Sequence, residues 1–402
     1  MQPTTAAQFL DLACLTHTGN DGVGRREQAE TILEASPWLA RDDAYVAAAV
    51  GDVRALREHL DGDADAVRRR GGPRGCDALL YLCNARITPR GSWDSLACAR
   101  LLLDRGADSR THALIDKMPY TALTGAIGVG EAGPVAAPPH PQARALVELL
   151  LNGGADPNDE QAIYNMHFLR DEGWLELLLA RGLRQQAHLD YLLGAAVKQG
   201  FAGRVALLLA HGASSKGRDL YNKRTHLENA MLLGHDLVAK MLVDHGAAAP
   251  SLSAGEELRL ACLRGHEEQV RRLAIATLGG RDNEATLVAA AQQGNLPAVR
   301  LCLDVLATPV DATNDKGLTA LHAAAGNGRR LVVDELLSRR ASLTIRDPVH
   351  RGTSLDHARW AARTWPSPER TDVARALEAA SAATSSCSTR MSTPVDPRRS
   401  KT

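Results

Sequence analysis

Few places in the 402-residue chain hold residue types that could do chemistry. Gly128-Val129-Gly130-Glu131-Ala132-Gly133 spells G-x-G-x-x-G. That loop seats a dinucleotide pyrophosphate only where a strand enters it and a helix N-terminus leaves it. Here helical residues precede it, and Pro134 and the cluster from Pro138 to Pro141 follow, so no cofactor is expected. His266-Glu267-Glu268 begins like a zinc-protease helix, but Val270 stands where the second histidine ligand belongs. Seven cysteines, at 14, 76, 83, 98, 262, 302 and 387, are odd in number and never in C-x-x-C spacing. That argues against a disulfide framework and a zinc site. Cys83, Cys98, Cys262 and Cys302 lie among apolar helical residues, where a buried reduced thiol is expected. No G-x-x-x-x-G-K-[ST] and no G-x-S-x-G occurs, and nothing nominates a Ser/His/Asp triad. Catalytic residues, cofactor-binding residues and metal ligands are therefore all predicted to be none, and the chain is read as non-enzymatic.

The fourteen histidines could serve as general bases or ligands. Most instead mark fixed places in a longer pattern: His235 and His266 directly follow a glycine, and His211 and His245 directly precede one. The pattern is an apolar residue, Ala three later and Gly seven later: Leu193, Ala196, Gly200; Leu227, Ala230, Gly234; Leu258, Ala261, Gly265; Leu287, Ala290, Gly294; Leu321, Ala324, Gly328. Leu123, Ala126, Gly130 fits, Ala44, Ala47, Gly51 is a weaker copy, and Leu355 with Ala358 begins a last one. The near-constant period predicts stacked supersecondary units rather than one closed core. Small Ala lets units approach, and Gly takes the left-handed turn between two helices.

The second helix of each unit recurs too. Leu101-Leu102-Leu103-Asp104-Arg105-Gly106-Ala107-Asp108 parallels Leu149-Leu150-Leu151-Asn152-Gly153-Gly154-Ala155-Asp156. Two helices before residue 41 suit an end cap with a polar outer face. The expected organisation is a helical extension over 1–40, about nine to ten units over 41–380 and a Ser/Thr/Pro/Arg-rich disordered tail over 381–402. The basic loop Arg68 to Arg74 and the Pro/Ala/Gly-rich insertion Gly128 to Pro141 interrupt the regular units.

Composition narrows the function classes. Apolar residues make up 45% but aromatics only 3%, so the core must be built from Ala, Leu and Val. Lys plus Arg equals Asp plus Glu, 47 each, which gives no global field favouring nucleic acid or an anionic membrane. No run approaches the length that spans a bilayer, and residues 1–15 lack a basic leader, so a cytoplasmic protein is expected.

Thr319-Ala320-Leu321-His322-Ala323-Ala324 carries the T-P-L-H-x-A signature with Ala for Pro, and residues 41–380 resemble the ankyrin-repeat family. The blocks Gly71 to Cys83 and Ala155 to Gln161 are similar to segments of bacterial ankyrin-repeat proteins. The resemblance implies an all-α ankyrin-repeat solenoid of paired helices with short β-hairpin fingers, and a hydrogen-bonding role for His322 in supporting the loops.

That fold offers a concave face of finger tips and first helices, which points to a protein-binding scaffold or adaptor. Residues flanking the first helices and not needed for stacking are the candidates: Lys117, Met118, Tyr120, Asn158, Asp159, Tyr221, Asn222, Lys223, Arg224, Asn314, Asp315 and Lys316. Trp174, after Gly173, is a candidate exposed anchor. Trp38, Trp93 and Trp360 are expected to pack at the ends or under loops. The alternatives are a small-molecule sensor or enzyme with a pocket at Gly128 to Pro141, or an anionic-surface or nucleic-acid binder through Arg68 to Arg74.

Overall fold

The computed structural model describes residues 6–18, 20–88, 90–169, 171–276 and 281–391. They form two compact units, Met1–Lys223 and Arg224–Thr402.

The second unit holds the most regular repeats. Leu258, Ala261, Leu287, Ala290, Leu321 and Ala324, the positions singled out by the period, are buried in one apolar cluster. Helix starts are set by hydroxyl caps. Thr225, Ser253, Thr319 and Thr353 each accept from a backbone N–H three residues on, and Glu228, Glu256, His322 and Asp356 each return a bond to the cap's own N–H. His322 also meets the Gly352 carbonyl through Nε2 at 3.2 Å, so it ties one loop to the next. Gly328, at φ 70°, carries the chain from Ala320–Gly326 into Arg330–Ser338. All six cysteines with described side chains are buried and unpaired by disulfides, including Cys83, Cys98, Cys262 and Cys302.

The first unit stacks Ala44–Val50, Ala78–Asn84, Ala122–Ile127 and Glu160–Met166 as successive first helices. The helices that follow them include Val53–Gly62, Ser95–Asp104 and Ala143–Asn152. Most caps here are acidic: the carboxylates of Asp43, Asp52, Asp77, Asp94 and Asp159 each accept N–H bonds of the first turn, while the Thr121 hydroxyl caps Ala122–Ile127. Gln186–Gln199 and Ala202–Ala210 complete the unit's helices.

Several expectations need correcting. The leading helix, Ala6–Ala13, runs past the first repeat: Arg86 N donates to Ala13 O at 2.8 Å and Leu15 N to Asn84 O at 2.9 Å. It binds the second repeat as well as covering the start. Among the described residues one ladder forms a finger, His112–Ile115 with Met118–Thr121. Elsewhere Asx-type turns do that work, as where Asp219 Oδ1 accepts from Tyr221 N and Asn222 N. Trp38 and Trp360 are 55% and 51% exposed rather than packed. The final helix, Pro368–Met391, extends into the stretch expected to be a disordered tail. Residues 392–402 of that expected tail lie outside the described residues.

Candidate functional site

The first unit contains an open cavity of about 900 Å³. The turn after the leading helix supplies His17 and Asp21, and the β-finger supplies Met118 and Tyr120. The insertion contributes Val129, Glu131 and Ala137. Helix Glu160–Met166 presents Glu160, Gln161, Tyr164 and Asn165, helix Gln186–Gln199 presents His188 and Tyr191, and the following loop closes it with Leu220 and Tyr221. Four of the chain's six tyrosines thus line one cavity, in a chain with 3% aromatic residues.

The insertion forms a wall because it is pinned from several elements. Val129 N donates to Ala137 O at 2.5 Å, closing the loop on itself. Arg86, 5% exposed, donates from Nε to Pro138 O and from Nη2 to Gly125 O, both at 2.6 Å. Its Nη1 reaches Cys83 O and Ala85 O. Arg26 reaches Ala136 O and Val135 O, each at 3.0 Å, from the helix Val23–Ala35. Asn165 Nδ2 donates to Gly128 O at 3.1 Å. The glycines of the G-x-G-x-x-G serve this folded-back loop: Gly128, Gly130 and Gly133 all have positive φ. A Cβ on Gly128 would stand 2.5 Å from Pro138 O.

The aromatic groups hold one another in place. His17 and Tyr120 stack with centroids 4.6 Å apart. His17 Nε2 meets Asn84 Oδ1 at 2.7 Å, and burial pushes its imidazole down to about 4, so it is neutral at pH 7. The Tyr164 hydroxyl donates to Glu131. Burial, then this hydrogen bond and charge, raise the Tyr164 phenol. Tyr191 is pushed up to about 12 by burial, and its hydroxyl lies 3.3 Å from His167 Nδ1. Among the described residues no Lys or Arg lines the cavity, whereas Asp21, Glu131 and Glu160 do. Lys198 lies 5.2 Å from the Tyr221 ring centroid, and its ammonium is 2.6 Å from Asp219.

The sequence-selected candidates divide. Met118, Tyr120 and Tyr221 line the cavity, and Lys117, Asn222 and Lys223 are exposed beside them in the same two loops. Asp159 is not spare: its carboxylate accepts from Thr121 Oγ1 at 2.6 Å and Ala162 N at 2.7 Å, joining the finger to the next helix. Asn158 Oδ1 accepts from Arg184 N and Gln185 N, bracing the next loop. Arg224 pairs with Glu256 of the following repeat, so it too supports stacking. Asp315 and Lys316 are exposed, while Asn314 Oδ1 accepts from Lys316 N and Leu318 N to form the turn itself. Trp174 is 8% exposed and belongs to the core, not to a binding anchor. His17, Glu131, Tyr164, His188 and Tyr191 were not selected from sequence. The available signal was the tyrosine spacing, at 120, 164, 191 and 221, close to once per repeat.

In the Arg68 to Arg74 loop Arg68, Arg69 and Arg70 are exposed, but the guanidinium groups are engaged by protein acceptors. Arg68 donates to Gly106 O, Arg69 pairs with Asp63, Arg70 donates to Gly75 O and His112 O, and Arg74 donates to Asp11 O and Leu15 O. These bonds staple neighbouring segments together. Among the described residues no cluster of three or more His, Cys, Asp or Glu side chains could hold a metal, and no helix is long and apolar enough to cross a membrane.

The family model for ankyrin repeats (3 copies) matches residues 258–347. This stretch contains the units built on Leu258, Leu287 and Leu321. No curated protein matches the chain.

Proposed function

The chain is an ankyrin-repeat domain protein, and we propose that it is a non-enzymatic scaffold or adaptor whose partner docks on the finger and first-helix face of residues 1–223. Ankyrin repeats are in general protein–protein interaction modules. One observation supports this face: finger residues Met118, Tyr120 and Tyr221 converge with first-helix residues on one open cavity. Tyr221 is 78% exposed and Met118 41%, large apolar surface with no stacking duty. Tyrosine on a braced frame loses little side-chain entropy on docking and offers an apolar body with a polar tip. A cytoplasmic location completes the proposal.

The test is capture of a partner from native cells, followed by reconstitution with that partner purified. Tyr120→Ala/Tyr221→Ala is expected to weaken the reconstituted complex at least about tenfold, and Tyr221→Ala alone, at the exposed ring, should weaken it with the melting curve in place. Undiminished affinity in the double variant would remove this face from the proposal.

The same cavity supports a second reading, a small-molecule site, because its volume falls within the range of ligand pockets. In that case a low-molecular-weight compound raises the melting temperature without any protein partner.

A further inference from the structure

We propose that the cavity of residues 1–223 receives a lysine or arginine side chain projecting from an extended segment of the partner protein. This rests on the scaffold reading above and specifies what the partner must present.

The chemistry of the wall carries the argument. A cation over the face of a tyrosine is attracted by the ring quadrupole, and several faces around one site add to that attraction. Tyr120, Tyr164, Tyr191 and Tyr221 are brought to this cavity from four separate elements of the unit. Glu131 and Glu160 add negative charge, and among the described residues no basic side chain lines the cavity to oppose it. The chain already uses one of these rings this way: Lys198 sits 5.2 Å from the Tyr221 centroid, with its own charge met by Asp219. Glu131 and Glu160 repel an anionic occupant and attract a cationic one, while a purely aliphatic occupant gains nothing from either.

Size decides between a free ion and a chain segment. A cavity of about 900 Å³ is far larger than one ammonium group requires. It has room for several residues of an extended chain, as peptide-recognition grooves do. Gln161 and Asn165 stand on the floor, though Gln161 Nε2 donates to Asn165 Oδ1 at 2.8 Å, so part of their capacity is used internally. His188 adds an imidazole to the same wall.

The experiment uses the full chain and a displayed library of random dodecapeptides. Enriched peptides are expected to carry Lys or Arg at one fixed position. In a synthetic copy of the best peptide, replacing that residue with norleucine should weaken binding at least about tenfold, while trimethyl-lysine retains it. Glu131→Gln/Glu160→Gln, which keeps shape and changes only charge, should weaken the basic peptide several-fold with an unchanged melting temperature. Tyr191→Leu should weaken it further; because that change touches a half-buried ring, the carboxamide variant keeps the test independent of folding. Enrichment of neutral or acidic peptides, equal binding of the norleucine peptide, or no enrichment overturns the proposal. So does choline chloride raising the melting temperature as much as the peptide at equal concentration, since the occupant is then a free small cation. If a reconstituted partner depends on Tyr120 and Tyr221 but is indifferent to Glu131→Gln/Glu160→Gln, this inference fails while the scaffold reading stands.

Discussion

Arg86 Nε donates to the carbonyl of Pro138 at 2.6 Å, across 52 residues of chain. The guanidinium is buried, and burial lowers its pKa to about 9, partly countered by neighbouring thiols and Asp21. Its donors are spent on four carbonyls, of Pro138, Gly125, Cys83 and Ala85, and this holds the insertion as a wall of the cavity.

Arg86→Met keeps much of the aliphatic volume and removes those donors. The orphaned carbonyls then cost more than the lost bonds alone. The amide of Val129, bonded to Ala137 O, should exchange about 100-fold faster, equivalent to about 2.7 kcal/mol of local stability. Exchange at the wild-type rate would show that the insertion holds itself.

His140 predicts the pH dependence of the same wall. It is 4% exposed, its Nδ1 accepts from Gln142 N at 3.0 Å, and burial, with Arg86 adding to it, pushes its pKa down to about 3. The unfolded chain therefore binds a proton that the folded one refuses, and stability falls as pH drops from about 6.5 toward 3. Between pH 6.5 and 4.5 the loss is about 2 to 3 kcal/mol. His140→Asn retains an acceptor near the Nδ1 position and cannot titrate. Urea unfolding at several pH values should show the wild type losing stability relative to this variant on acidification, with the difference flat above pH 7.

The repeat was legible in sequence because stacking imposes it. Leu321 and Ala324 face the neighbouring unit whatever the chain binds, and both are fully buried. The cavity was half legible. Met118, Tyr120 and Tyr221 could be chosen because finger tips follow from the repeat phase. Tyr164 and Tyr191 lie in helices, where aromatic residues usually mean core, and His17 reaches Tyr120 only because the leading helix overruns the first repeat. Arg224 and Asp159 misled for the opposite reason: their positions look exposed, but their charges are consumed by Glu256 and by Thr121. Local spacing does not record bonds made between repeats.

Two turn glycines separate strain from crowding. Gly265 and Gly328 have φ of 71° and 70°. A Cβ at Gly265 meets nothing within 4 Å, whereas one at Gly328 lies 3.1 Å from Arg370 Cγ and 3.3 Å from Arg370 N. Gly265→Ala should cost about 1 kcal/mol, the left-handed penalty alone. Gly328→Ala should cost about 1 kcal/mol more, because the start of the last helix must shift. Equal losses in urea unfolding would mean that Arg370 moves aside freely.

Trp174 and Tyr221 are both candidate anchors in the sequence, and burial separates them. Trp174, within Gly173–Ala180, is 8% exposed and Tyr221 is 78% exposed. Trp174→Ala should destabilise by about 3 to 5 kcal/mol by opening a core cavity. Trp174→Phe fills most of that space, so it should cost far less and leave partner affinity unchanged. Tyr221→Ala should alter stability by less than about 0.5 kcal/mol, as surface changes do. Its effect should fall on the complex instead, where loss of a tyrosine anchor raises the dissociation constant at least about tenfold. Melting curves and titration of the reconstituted partner, measured on the same three variants, separate the two roles. A Trp174→Phe protein that melts normally but binds the partner poorly would return Trp174 to the interface.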